Sequence, residues 1–322
     1  MVSAPDRPRT RPLIALARRA LLGAATLWAA ATLAFFALRL SGADPTDSLM
    51  AQGLASPEQA AALRTELGLD APLLVQYGRF LGGLSQADLG VSLYTSRPVI
   101  RIITEQLLPT LELAAGALLV SLVLGLAFGV AAGWRPETSL GRASDVLASL
   151  ATGIPVAVAG ILVILIAAAV ARVVPDALSL TRSGSLALPA LTLGFVTSGA
   201  LARVIQAGLV DSRAAPYMVA ARARGVAPGW RLLWHALRPT LPTAVSLAAL
   251  QAAFLLSGTV VTETVFSRPG LGRLLVTAIL EGDFPVVQGL VVLAAALYTL
   301  TQALADGLAS LLDPRLAEGD QP

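Results

Sequence analysis

The 322-residue chain is 56% hydrophobic and only 13% charged, with a mean hydropathy of +0.75, values far outside those of an ordinary soluble domain; it reads as an integral membrane protein. It has no cysteine and a single histidine, which excludes disulfides, thiolate metal sites and a histidine-built metal centre. All 23 basic residues are arginine, so a phosphate loop ending in Gly-Lys is impossible, and the net charge of +3, with no arginine cluster interleaved with aromatics, fits membrane-flanking charge rather than nucleic-acid binding.

Residues 1–19 carry five arginines and one aspartate, and 20–38 carry no charge. A signal peptide has similar regions, but this apolar run is long enough to span and no small-residue cleavage site follows before Arg39. It is expected to be a first transmembrane helix behind a cytoplasmic tail. Further uncharged stretches at 113–134, 146–171, 183–202, 239–262 and 284–305 are each long enough to cross, and backbone hydrogen bonding in lipid makes each a helix. The expected fold is all-α with six transmembrane helices and both termini on one side. Loops on the side of the termini hold 13 arginines over 79 residues against 9 over 108 on the other, a bias that puts both termini and the loop at 208–240 in the cytoplasm.

The long external segment, 39–107, has helical structure of its own. Ser56-Pro57-Glu58-Gln59 combines an N-cap serine, proline at the first helical position and glutamine at the third, a capping box, and Gly68 ends the run. Asp70-Ala71-Pro72-Leu73, Gln76-Tyr77 and Asp88-Leu89-Gly90-Val91-Ser92 follow, in a region that either packs on the rim of the bundle or docks a partner. Residues 98–107 are expected as an amphipathic interfacial helix feeding the second span. Glu112, at the edge of that span, is a candidate pathway or structural charge. Gly153-Ile154-Pro155 and Pro189 are candidate kinks in the third and fourth spans.

Between the fourth and fifth spans lies a basic island from Tyr217 to Pro242. Ala220, Ala221 and Ala223 favour helix, Gly225 suits the left-handed residue that closes one, and Pro228 suits the first turn of a second. The result is a knob ringed by Arg213, Arg222, Arg224, Arg231 and Arg238, or simply a positively charged loop. After the fifth span, Glu263-Thr264-Val265-Phe266 leads to Pro269-Gly270-Leu271-Gly272, a turn that re-enters toward the membrane, and then to Asp283-Phe284-Pro285 and Gln288-Gly289.

These elements together resemble the ABC-importer permeases of the dipeptide/oligopeptide/nickel branch, specifically the permease partner with a large loop after its first helix. The match runs from about Gly42 to the closing Asp313-Pro314-Arg315. Tyr217, Ala221, Arg222, Ala223, Gly225, His235, Ala236, Leu237, Arg238 and Pro242 fit the family's coupling loop, while Pro216 and Val219 stand where acidic residues are usual. The resemblance implies a type I importer permease fold: a five-helix core at 108–308 with its coupling loop at 208–240, and a cytoplasmic C-terminal tail at 309–322. It implies a multi-pass protein of the bacterial cytoplasmic membrane, partnered by a second homologous permease, two ABC ATPases and an extracytoplasmic solute-binding protein. ATP and Mg would be bound by the ATPases, with no cofactor in this chain. Tyr217, Ala220, Ala221, Arg222, Ala223, Arg224, Gly225 and His235 become candidate ATPase-coupling residues. Glu112, Glu263, Pro269, Gly270, Gly272 and Asp283 become candidates for the pathway or gate. Di- or oligopeptides are the expected substrates, with nickel chelates or other small solutes as the alternative.

Two other classes fit less well. An ion-coupled carrier would show mid-span carboxylates or an internal repeat. An intramembrane hydrolase would need the histidine within reach of Ser257, whereas His235 falls in the arginine-rich knob.

Overall fold

The computed structural model describes residues 11–40, 44–171 and 185–312. Gly42, the first residues of the expected fourth span, the side chain of Ser257, the outer parts of both tails and the closing Asp313-Pro314-Arg315 lie outside the described residues. The described chain is helical throughout, apart from one isolated antiparallel bridge, Val91 to Pro98. In order come α1 (Arg11–Leu40), α2 (Pro45–Ala51), α3 (Pro57–Glu66), α4 (Leu73–Ser85), α5 (Val99–Trp134), α6 (Ser139–Gly153), α7 (Val156–Ala171), α8 (Ala187–Ala214), α9 (Pro216–Ala223) and α10 (Pro228–Trp230). A π-helical turn (Arg231–Leu237) then runs into α11 (Arg238–Gly258), followed by α12 (Val260–Val265), α13 (Leu271–Glu281) and α14 (Phe284–Leu312).

Among the described residues, four helices are long and apolar enough to cross a membrane, or five if the bent pair α6 and α7 counts as one span. The bend is 114° and falls at the Gly153-Ile154-Pro155 element. Proline disfavours helical geometry in the residue before it, and Ile154 is accordingly extended at φ −90°, ψ 122°. Pro189 causes no kink, because α8 begins at Ala187 and the proline sits in its first turn, where a backbone N–H has no helical partner to lose. The interfacial helix expected at 98–107 to feed the second span is helical from Val99 and joins that span without a break. Those residues open the 36-residue helix α5, which runs on through Pro109. Proline removes the N–H that would bond to the Glu105 carbonyl four residues earlier, an interruption that membrane helices tolerate; Arg268 donates to the carbonyl oxygen of Pro109 itself at 3.2 Å.

The described residues divide into two compact units. The first comprises those of Met1–Ile103 and Ala278–Ala303. Its core is aromatic: Phe35 of α1 is fully buried and stacks on Phe80 of α4, with ring centroids 5.5 Å apart, while Tyr77 bonds its hydroxyl to Thr32 at 2.7 Å. The predicted capping box on α3 is present in both halves, and Gly68 follows the helix at φ +64°. Arg64 of α3 bridges Asp44, the N-cap of α2, and Asp70.

The second unit comprises the described residues of Thr104–Thr277 and Leu304–Pro322, and it is organised on α8. The apolar window of α8 is 56% buried, against 22% for that of α1. A side chain added at Gly125, Gly129 or Gly133 of α5 would meet Leu201, Ile205 or Leu209 of α8 within 3 Å, and one added at Gly194 of α8 would meet Val120 and Ala117 of α5. Lipid gives no hydrophobic drive for helices to associate, so this close approach maximises van der Waals contact instead. Between the helices, Gln251 of α11 donates to the Thr197 carbonyl oxygen at 2.8 Å and faces Ser121 of α5.

Candidate functional site

The loop from α8 to α11 forms the knob expected from the sequence. Helix α9 ends in a Schellman motif: Val226 N–H bonds back to the Ala221 carbonyl oxygen at 3.1 Å and Gly225 N–H to that of Arg222 at 3.0 Å. Gly225 takes the required positive φ of 74°, and no atom lies near the place a side chain would occupy. Pro228 stands at the start of α10 as predicted. The π-helical turn that follows was not anticipated; such turns are short and recur at functional sites.

The knob has an anchored face and an open one. Met218 and Ala236 are buried in one apolar cluster with Leu201, Ile205 and Leu209 of α8, and Ala221 is fully buried beside them in the chain. Ser212 bonds toward the Ala236 carbonyl oxygen at 3.4 Å, and Arg213 ties the end of α8 to the Gly133 carbonyl oxygen at 3.1 Å. Tyr217, Val219, Ala220, Arg222, Ala223, Arg224 and Gly225 are all exposed. Of the sequence candidates, then, Ala221 belongs to the knob's own interior. His235 is half-buried, with Nδ1 lacking a partner among the described residues. Trp230 and Trp234 sit 5.4 Å apart, and Arg238 lies over the Trp234 ring at 5.2 Å.

The acidic candidates are held in quite different ways. Glu263 is completely buried, and its carboxylate accepts from Thr110 Oγ1 at 2.7 Å and from the N–H groups of Gly272 and Arg273 at 2.8 and 3.1 Å. Thr110 Oγ1 in turn accepts from Leu271 N–H at 2.8 Å. Glu263 therefore caps the first turn of α13, whose unpaired N–H groups and dipole favour a negative charge. Gly270 must lack a side chain, since a Cβ there would fall 2.2 Å from the Glu263 carboxyl carbon, and Pro269 leads into the same turn. Glu112 is half-exposed and pairs with Arg268 at 3.0 Å.

In the first unit, Asp283 is only 3% exposed and accepts from Ser92 Oγ at 2.6 Å and from Leu93 N–H at 3.3 Å. The Asp-x-Gly-x-Ser element and the Asp-x-Pro element, far apart in sequence, thus close on each other. Tyr94 donates to the Glu281 carbonyl oxygen and accepts from Gln52 at 2.8 Å. Partial burial first, and then the charge of Asp283, push the Glu281 carboxyl above the usual range.

One polar cluster went unread in the sequence. Asp145 of α6 accepts from Arg203 Nη1 at 2.6 Å and from Gln206 Nε2 at 2.9 Å, and Arg203 also reaches Ser149. The third span, expected from 146, excluded Asp145 by one residue, whereas α6 begins at Ser139 and takes it in. The glycine series of α5 was legible as Gly125-x-x-x-Gly129-x-x-x-Gly133 in an apolar run, and it too was passed over.

Residues 125–318 match the model of the family described as "Binding-protein-dependent transport system inner membrane component". Among curated proteins, the chain is 32% identical over 289 residues to the probable peptide ABC transporter permease protein y4tP of Sinorhizobium fredii, covering 88% of this chain and 92% of the relative. It is 35% identical over 292 residues to the glutathione transport system permease protein GsiC of Salmonella paratyphi A, covering 90% and 94%. A putative peptide transport system permease protein of Brucella abortus is 34% identical over 293 residues, covering 89% and 93%.

Proposed function

The chain belongs to the family of binding-protein-dependent transport system inner membrane components and is a permease of the peptide ABC-transporter type, and on that premise we propose that it imports di- or oligopeptides as one of two permeases driven by two ATPase subunits. Two of the relatives above are named as peptide permeases, and glutathione, in the name of the third, is itself a tripeptide. An extracytoplasmic binding protein delivers the solute, and the ATPases bind ATP and Mg.

The observation that carries the coupling role is the two-faced knob. Its inner face is fixed to α8 through Met218 and Ala236, with Ala221 buried on the same short helix as Met218, and its outer face offers Tyr217, Ala220, Arg222, Ala223, Arg224 and Gly225 to a partner. A helix held that firmly passes a push from closing ATPases into the membrane helices. In this reading six crossings put both termini and the knob in the cytoplasm of a bacterium's inner membrane. Helix α11, at 21 residues, supplies the sixth: at 1.5 Å per residue it is about 30 Å long, the thickness of a bilayer core. Glu263 and Asp283 serve this machine as latches that hold its helices in place, and Glu112 with Arg268 remains the candidate charge near the path.

Charge reversal tests the coupling role. With Arg222→Glu and Arg224→Glu together, we expect normal membrane abundance but loss of the ATPase subunits on affinity pull-down and of ATP-dependent peptide uptake. Retention of both at the parental level would reduce the knob to a basic loop.

A further inference from the structure

Within the first unit lies a cavity of about 270 Å³ that neither the transport reading nor the coupling knob uses. Arg39, Arg79 and Gln288 line it together with Phe80 and Phe284. Gln288 is only 7% exposed, and its Nε2 has no partner among the described residues; nor does the buried Nη1 of Arg39. Gln76 holds Arg39 in place, taking Arg39 Nε–H on its Oε1 at 2.8 Å while its own Nε2 is spent on the carbonyl oxygens of Leu69 and Ala71. The Arg39 guanidinium also lies over the Phe35 ring at 4.1 Å. The one carboxylate on the wall, Asp88, accepts from Gly90 N–H at 2.9 Å, so two arginines and one aspartate leave the cavity net positive.

Two buried donors without acceptors, one of them cationic, call for an oxyanion. Position identifies its source. Arg39 is in the last turn of α1, which crosses as Leu21–Leu40, and Gln288 is near the start of α14, which crosses as Phe284–Thr301. The end of one crossing helix beside the start of another marks headgroup depth, where lipid phosphates are concentrated, and the phenylalanines offer an apolar wall for an acyl chain. We propose that this cavity binds one membrane phospholipid, its phosphate accepting from Arg39 and Gln288, whose side chains turn their unpaired buried donors into the cavity on binding.

The test is native mass spectrometry of the full chain, purified in mild detergent and supplied in turn with phosphatidylglycerol, phosphatidylethanolamine, diacylglycerol or inorganic phosphate. The expected result is one phospholipid retained per chain, with either phosphate-bearing lipid, and no retained diacylglycerol. Gln288→Leu keeps the side-chain bulk and removes the donor, and should lower that occupancy about fivefold, the worth of one hydrogen bond. Arg39→Met should lower it further. Equal retention of diacylglycerol would overturn the proposal using the unmodified chain alone, whatever the variants do. Undiminished occupancy in a folded Gln288→Leu chain would overturn the assigned donors, and binding of free phosphate without any retained lipid would overturn the lipid as source.

Discussion

The region between α1 and α5 and the knob between α8 and α11 are both polar segments attached to apolar helices, yet they treat their polar groups in opposite ways. In the first, polar side chains are consumed within the unit: Asp44 and Asp70 by Arg64, Ser92 by Asp283 from the segment before α14, and Gln76 by Arg39 and two carbonyls. In the knob Arg222, Arg224 and Arg238 stay outside. The Arg224 side chain makes no polar contact among the described residues, and that of Arg222 makes only a 3.4 Å bond to the Arg213 carbonyl oxygen. A region that satisfies itself is stabilised by its polar residues; one that leaves them exposed gains little stability from them, and under the proposed coupling role they are there for a partner.

That contrast is broken most directly at Asp283. Asp283→Ala strands a buried hydroxyl and weakens the closure of two distant elements, at about 1–3 kcal/mol. Membrane abundance should fall several-fold and thermal unfolding should shift down, by fluorescence-detected size exclusion; an unchanged melting profile would make the two regions alike. Gly225→Val comes next, since a left-handed backbone costs an L-residue about 1–2 kcal/mol. Here the structure sharpens the expectation: nothing crowds the site, so the loss should appear in ATPase pull-down and uptake far more than in abundance. Arg224→Ala should change stability by no more than about 0.5 kcal/mol, as for an exposed site, while weakening ATPase retention.

The smallest effect concerns acid. Burial alone would raise the Asp44 carboxyl, but hydrogen bonds from the Thr46 side chain and backbone, with the charge of Arg64, outweigh it and hold the group below its ordinary value. A folded-state pKa below the unfolded one stabilises above the ordinary carboxylate range and is lost as pH falls through the folded value. Asp44→Asn should therefore be slightly less stable than the parent at neutral pH, and the difference should vanish in acid, read from unfolding midpoints across pH.

Local chemistry was legible in the sequence. The capping box at Ser56, the glycine at Gly225 and the proline at Pro228 act within a few residues of themselves, and the structure has each where the spacing put it. What escaped depends on partners far away in the chain. That Glu263, a pathway or gate candidate, is held by Thr110 could not be read, because Thr110 lies 153 residues earlier. Ala221 looked like part of a docking surface, although the cluster built by α8 takes the Met218 side of the helix inward. Asp145 was lost to a boundary set by hydropathy, which ends a span at the first charge even when an arginine on α8, 58 residues later, pairs with it.

The glycine series on α5 has a mechanical corollary. Where backbones touch at Gly125, Gly129 and Gly133, neither helix can slide or roll without driving main-chain atoms into Leu201, Ile205 or Leu209. The pair behaves as a single girder, stiff along its length. Any stroke that passes through it must bend at softer joints, and the structure offers two in the same unit: the sharp corner at Ile154 and the interruption at Thr259, where α11 gives way to α12.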